Sequence, residues 1–199
     1  MKEMTLKEIQ KALGYEVKVV AEKAPKKYKN ADISKTTNIA DIEWIVLDKD
    51  NEGNVLCLAK NFVYRDAQFD SNTPNYANSS IRKKLNGEFL KRLTDEVGED
   101  GILESEIDLI SLDGLDDFGK VTDKVGLLTF DLYRKYNRII EKYPVDSWWW
   151  LSTPWSTSHR GWHSAVCDVR RDGTVNVVNC YYNSGVRPFC IFSSSIFES

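Results

Sequence analysis

The chain has 199 residues, 42% of them hydrophobic and 29% charged, with a formal net charge of -3. That length is near the point at which a single core still grows, so one globular domain is the first expectation. Without a basic excess nothing attracts phosphate backbones, which argues against general nucleic-acid binding. No stretch reaches the ~18 apolar residues needed to span a bilayer, and Met1 to Gly14 lacks the apolar core of a signal peptide. No membrane insertion and cytoplasmic synthesis are therefore expected.

Thr5 to Glu8 has the S/T-x-x-E form of a capping box, and Leu6, Ile9 and Leu13 recur at helical spacing until Gly14 offers a stop. Tyr15 to Val20 alternates as a strand does, and Ala24 to Lys35 reads as a Lys-rich loop. Ile39 to Leu47 and Val55 to Ala59 are apolar runs on either side of Asp48 to Asn54, whose Asp, Asn and Gly predict a hairpin turn. With Asn78 or Ser79 as cap, Ile81, Leu85, Phe89 and Leu93 predict a helix that leaves Lys83, Lys84 and Lys91 in water.

Leu103 to Leu112 reads as a strand and Asp113 to Gly119 as an acidic loop. Asp113, Asp116 and Asp117 resemble the start of a calcium loop but lack the bidentate Glu at its twelfth position, so no metal is expected there. Val125 to Thr129 predicts a short strand. It leads into a helix from Phe130 to Lys142 with Leu132, Tyr136 and Ile139 or Ile140 facing inward. The cysteines at 57, 167, 180 and 190 form no C-x-x-C pair and read as reduced and mostly buried.

After Lys142 the composition changes abruptly. All eighteen lysines lie at or before that residue, and Glu198 is the only Glu, Gln, Lys or Met from Tyr143 onward. Tyr and Trp give large rigid contact areas at small entropic cost, and Ser, Gly and Asn give adaptable hydrogen bonds, a mixture typical of paratopes. Ser156 to Ser164 and Asn176 to Ser184 both have it. Between them Ala165 to Val169 and Thr174 to Val178 predict two strands joined at Arg170, Arg171, Asp172 and Gly173. Trp148, Trp149, Trp150 and Trp155 are expected in the core, because a run of bulky aromatics stabilises most when buried. Exposure and contact are expected of His159, Trp162, Tyr181 and Tyr182.

The ordered strings E-W-I-V-L-D (Glu43 to Asp48), S-S-I-R-K-K-L-N (Ser79 to Asn86), K-V-G-L-L-T (Lys124 to Thr129), W-W-L-S-T-P (Trp149 to Pro154) and G-V-R-P-F (Gly185 to Phe189) resemble a bacterial and phage domain family of unknown function within the C-type lectin fold. The resemblance runs from about Ile39 to Ile191. Within that group the chain is similar to the variable proteins diversified by retroelements of gut bacteria and their phages. It implies an α+β fold of C-type lectin type, with mixed or antiparallel sheets, two or three supporting helices and no cofactor. Residues 36–199 would form the lectin-like domain after an N-terminal region of helix, strand and Lys-rich loop over 1–35.

In such systems adenine-directed mutagenesis rewrites Asn codons of the form AAY, which can then encode fifteen residue types but never Lys, Glu, Gln, Met or Trp. From Ser156 to Ser184 only Trp162 lies outside that set. The expected ligand-binding residues are Ser158, His159, Arg160, Trp162, His163, Asn176, Asn179, Tyr181, Tyr182 and Asn183, meeting a protein or a cell-surface polymer. Arg187 and Pro188 are expected to be structural, with Arg187 paired to a buried carboxylate or to carbonyls. Carriage on a virion or display on a cell surface is left open by the resemblance.

Enzymatic readings find less support. His159 and His163 are the only histidines; Arg160, Gly161 and Trp162 between them are not helical and supply no Glu base, so a zinc site is not expected. No G-x-S-x-G, P-loop or G-x-G-x-x-G is present. The chain is therefore expected not to be an enzyme. The alternatives are a structural module of a phage particle, or thiol chemistry like that of the formylglycine-generating enzymes, which share the fold.

Overall fold

The structure, a computed structural model, describes residues 6–14, 26–30, 32–161 and 164–198. Its strands along the chain are β1 (Thr36–Ile39), β2 (Ile42–Lys49), β3 (Val55–Ala59), β4 (Tyr64–Gln68), β5 (Ile102–Leu103), β6 (Ser105–Asp108) and β7 (Lys120–Asp123). There follow β8 (Val125–Leu127), β9 (Trp149–Pro154), β10 (Ala165–Val169), β11 (Val175–Asn179), β12 (Asn183–Val186) and β13 (Pro188–Phe192). The helices are α1 (Leu6–Leu13), α2 (Ser80–Lys84), α3 (Leu90–Val97) and α4 (Phe130–Ile140). The architecture is α+β, with sheets that are mostly antiparallel and few helices. Among the described residues no helix is long and apolar enough to cross a membrane.

Apolar runs and turn chemistry make the first sheet. Asp50 holds the β2–β3 turn, its Oδ1 accepting from the backbone of Glu52 and of Asn54, each at 2.9 Å. The run from Ile39 to Leu47, expected to be one strand, folds back at Ala40 and Asp41, whose φ angles are 53° and 58°. A two-residue left-handed turn matches the twist of paired strands and leaves Ile39 opposite Ile42. β13 then pairs with β3 on one side. On its other side it meets β8 at Pro188 to Cys190 and β5 at Ile191 and Phe192. Two short strands share that edge, so the expected strand from Leu103 to Leu112 must break. Its second part is β6, which pairs with β7 before the chain turns at Ser111.

The helix expected from Ser79 is present, and Ile81, Leu85, Phe89 and Leu93 are all buried. Ser79 caps it, its Oγ accepting from the Arg82 amide. Four-residue steps on an α-helix overshoot a full turn by about 40°, so a strict repeat of four drifts off one face. Here a π-helical turn, Leu85–Phe89, with Gly87 out of helical geometry, joins α2 to α3 and returns the apolar residues to one line. Arg82 locks this helix to β7 through a bidentate pair with the buried Asp123, both contacts at 2.8 Å. Asn86 exchanges hydrogen bonds with the Val125 backbone. α4 starts at the expected place with Thr129 as cap, but its inward residues are Tyr133, Tyr136 and Ile140; Leu132, expected inside, is only half-buried.

The second sheet has the order β11–β10–β9–β12–β4. The expected β10–β11 hairpin forms, its second strand starting one residue later than the expected Thr174, with Val169 opposite Val175 and Gly173 at φ 83°. β12 runs parallel to β9, meeting it at Gly185 and Trp149. The chain passes straight from this sheet to the first through Arg187, which lies between β12 and β13. Trp149 and Trp150 are buried on opposite sides of β9, Trp149 against Tyr133 and Trp150 against Phe69.

α1 ends at Gly14 as expected, with φ 74°, but Leu13 is 49% exposed, so the helix keeps part of its apolar face in water. The Thr5 cap and the strand expected at 15–20 lie outside the described residues. Within the Lys-rich region Tyr28 pairs with Phe197.

Gly185 is required by close approach. A Cβ there would lie 2.4 Å from the Phe62 ring. Gly185→Ala is expected to destabilise the fold by at least about 1–3 kcal/mol, the usual range for overpacking, read as a lower urea midpoint.

Candidate functional site

Ser158, His159 and Arg160 form one short 3-10 turn, capped by Thr157 and ended by Gly161 in the left-handed region at φ 81°. All three side chains are exposed. The turn is held from below by the acidic loop. Asp113 accepts from Ser156 Oγ at 2.8 Å and from Arg160 Nη1 at 2.9 Å, while its other oxygen accepts from Ser111 Oγ at 2.6 Å. Asp117 accepts from Thr157 Oγ1 at 3.1 Å, and His159 Nδ1 lies 3.9 Å from its carboxylate. The Ser111 hydroxyl, then Ser156 and Arg160, hold the Asp113 carboxyl below its ordinary pKa. Two of the three Asp residues that resembled a calcium loop, Asp113 and Asp117, thus serve as a brace. Among the described residues no cluster of three His, Cys, Asp or Glu side chains could hold a metal.

The second segment is tied to the end of the first. Ser164 Oγ donates to Asn179 Oδ1 at 2.9 Å, and Asn179 Nδ2 donates to the Tyr181 hydroxyl at 2.8 Å. Gln68 Nε2 donates to the Tyr181 carbonyl at 2.7 Å, a contact from β4 that the sequence pattern did not announce. Tyr181 and Tyr182 are 44% and 56% exposed, their ring centroids 5.1 Å apart. Asn183 is exposed, and Asn176 and Asn179 are half-buried on β11. The chemistry this arrangement supports is contact: two phenol faces, amides and a guanidinium on backbone that hydrogen bonds restrain. Trp162 and His163, also expected here, lie outside the described residues.

The tryptophans correct one expectation. Trp149 and Trp150 are buried as expected, but Trp148 is 43% exposed and Trp155 37%. Both exposed rings flank β9, every residue of which is buried, so they stand where the chain enters and leaves the covered part of the sheet. Trp148 lines a hollow of about 350 Å³ with Val178, Tyr182, Asn183 and Ser184, and the Arg170 guanidinium lies 5.2 Å from its ring centroid. It therefore joins the aromatic surface.

Arg187 has no carboxylate partner among the described residues. Its Nε donates to the Ala59 carbonyl at 2.9 Å, its guanidinium lies 4.9 Å from the Trp149 ring centroid, and burial lowers its pKa to about 10.

Residues 123–194, less than half of the chain, match a family described as a domain of unknown function, DUF6273. The matched stretch holds α4, the β10–β11 hairpin and the Arg187 crossing. No curated protein and no solved structure matches the chain.

Beneath this surface Asp168 is wholly buried on β10, opposite Asn176 on one side and Trp150 on the other, and among the described residues no well-formed hydrogen bond reaches either carboxylate oxygen, the nearby Asn176 amide included. Burial raises its pKa from 3.8 to about 6; the Asn176 amide and the Arg170 charge reduce that rise only in part. A raised carboxyl pKa stabilises the fold below pH 4, and that contribution is lost as pH climbs through 6. Asp168→Asn is therefore expected to gain up to about 3 kcal/mol at pH 8 relative to pH 3, from roughly two pKa units, when urea unfolding is followed at both pH values. Asp113→Ala should speed amide hydrogen exchange at Ser156 to Arg160 and leave the β10–β11 amides unchanged.

Proposed function

We propose that the chain is a ligand-binding protein of C-type lectin fold whose residues 156–184 present a variable recognition surface, in the manner of the proteins diversified by retroelements. The observation that carries the reading is the placement of Tyr181 and Tyr182. Two large aromatics stand in water, surrounded by short polar residues, on backbone restrained by the Gln68, Asn179 and Ser164 hydrogen bonds. Rigid aromatic anchors with adaptable polar neighbours bind with little ordering cost. The α+β architecture, with α4 and the α2–α3 helix against the sheets, agrees with the lectin-type fold that the sequence strings suggest.

The proposed ligand is a protein or cell-surface polymer, met by Ser158, His159, Arg160, Asn176, Asn179, Tyr181, Tyr182 and Asn183, with Trp148 added. A binding role rather than a catalytic one fits the state of the thiols. All four cysteines are buried, and burial pushes the Cys167 thiol up to about 12 and raises those of Cys57, Cys180 and Cys190. A thiol so held supplies almost no thiolate at neutral pH. Native protein is expected to resist iodoacetamide; rapid labelling of any cysteine would reopen the thiol alternative.

The deciding experiment is to sequence the gene's surroundings. The proposal expects a reverse transcriptase and a near-copy of the segment encoding residues 150–190 that differs at adenines. Neither being present would overturn the diversification. Against a ligand identified by screening, Tyr182→Ala should weaken binding by about 2 kcal/mol or more, as hot-spot aromatics do, with no change in the unfolding midpoint.

A further inference from the structure

A second cavity lies where α4, the β10–β11 turn and the sheet crossing meet. It has a volume of about 220 Å³, and its walls include Ile140, Tyr143, Val145, Trp149 and Val169. Arg187 lines it as well, although the residue is only 1% exposed. A guanidinium carries five N–H donors. Nε is used by Ala59, whereas Nη2 is buried with no hydrogen-bond partner among the described residues. Salt-bridge partners are also missing: among the described residues no carboxylate pairs with Arg187, and the acids lining this cavity are the exposed Glu141 and Asp172. Asp172 is engaged by the Thr174 amide and hydroxyl. The further cations, Arg170 and Arg171, come from the hairpin turn.

Buried charges are normally paired and hydrogen-bonded, so a guanidinium with an idle donor beside a cavity is an incomplete pair. The missing half is an oxyanion, and a planar carboxylate is the group that matches a guanidinium edge. The remaining walls are aromatic and aliphatic, which selects a ligand whose other end is apolar. Small size follows from the volume, below the roughly 300–1,000 Å³ of drug-sized sites. Tyr133 closes one side and is held there by its hydroxyl, which donates to the Gly173 carbonyl at 2.6 Å. We propose that this cavity binds a small organic carboxylate with an apolar or aromatic body, the carboxylate meeting Arg187 and the body lying among Trp149, Ile140 and Val145. The proposal does not rest on the recognition surface proposed above: none of that surface's contact residues lines the cavity, although Val169 to Gly173 fall within residues 156–184.

The probe is benzoate, titrated calorimetrically into the full chain beside benzamide, its neutral counterpart, and inorganic phosphate. Benzoate should bind saturably and at least about tenfold more tightly than benzamide, as expected when a charge-assisted pair forms. Val145→Trp, which fills the cavity from a half-buried position and leaves Arg187 in place, should abolish the binding. Arg187→Met, if it folds, should bind benzoate and benzamide equally. Absence of saturation by benzoate in the parent protein would overturn the proposal. So would equal binding of benzoate and benzamide there, phosphate binding as tight as benzoate, or full retention of benzoate binding by Val145→Trp.

Discussion

The polypeptide goes directly from one sheet to the other between Val186 and Pro188, and at that step a guanidinium leaves water. Everything near the step is shaped to accept it. Ala59, the last residue of β3, offers its carbonyl, and Trp149 offers the face of its ring, so the charge touches both sheets at once. Gly185 lets the chain come against Phe62, and Gly126 on β8 likewise leaves room for the Phe189 ring. The G-V-R-P-F string is thus a joint in which Gly185, Arg187 and Phe189 each answer a geometric demand. Because β13 is central in the first sheet and β12 lies within the second, a failure of this joint would separate two layers rather than loosen one loop.

That explains which parts were legible in the sequence. The strings that suggested a fold are the residues that build its contacts: Ser79 caps a helix that Arg82 and Asn86 tie to β7 and β8, and Thr129 caps α4. The β10–β11 hairpin was readable because its valines alternate and its turn has an Asp-Gly pair. What stayed hidden depended on distant partners. The acidic loop gave no sign of bracing Ser156 to Arg160, since a carboxylate's partner some forty residues away leaves no local periodicity. The Ala40–Asp41 turn was missed because neither residue is a glycine. Trp148 was misplaced because the run of tryptophans does not show where the covered strand begins, which is at Trp149.

The candidate surface combines two kinds of support. The Ser158 to Arg160 turn rests on side chains of an acidic loop that lies outside residues 156–184. The Tyr181–Tyr182 segment rests instead on backbone and amide contacts from β4 and β11. One half is therefore braced by charge and is open to screening by salt, while the other is insensitive to it. Asp168, buried on β10, introduces a cost at neutral pH, because burial raises its pKa.

β10 and β11 differ in a way that bears on inheritance. Every residue of β10 is buried, whereas every residue of β11 is only half-buried, because β11 is the outer strand of its sheet. Substitutions along β11 therefore fall nearer the mild range typical of surfaces, and those along β10 nearer the severe range typical of cores. Two strands in one hairpin, separated by five residues, would accumulate changes at different rates, and a lineage of such chains would keep one as a record of ancestry while the other was rewritten.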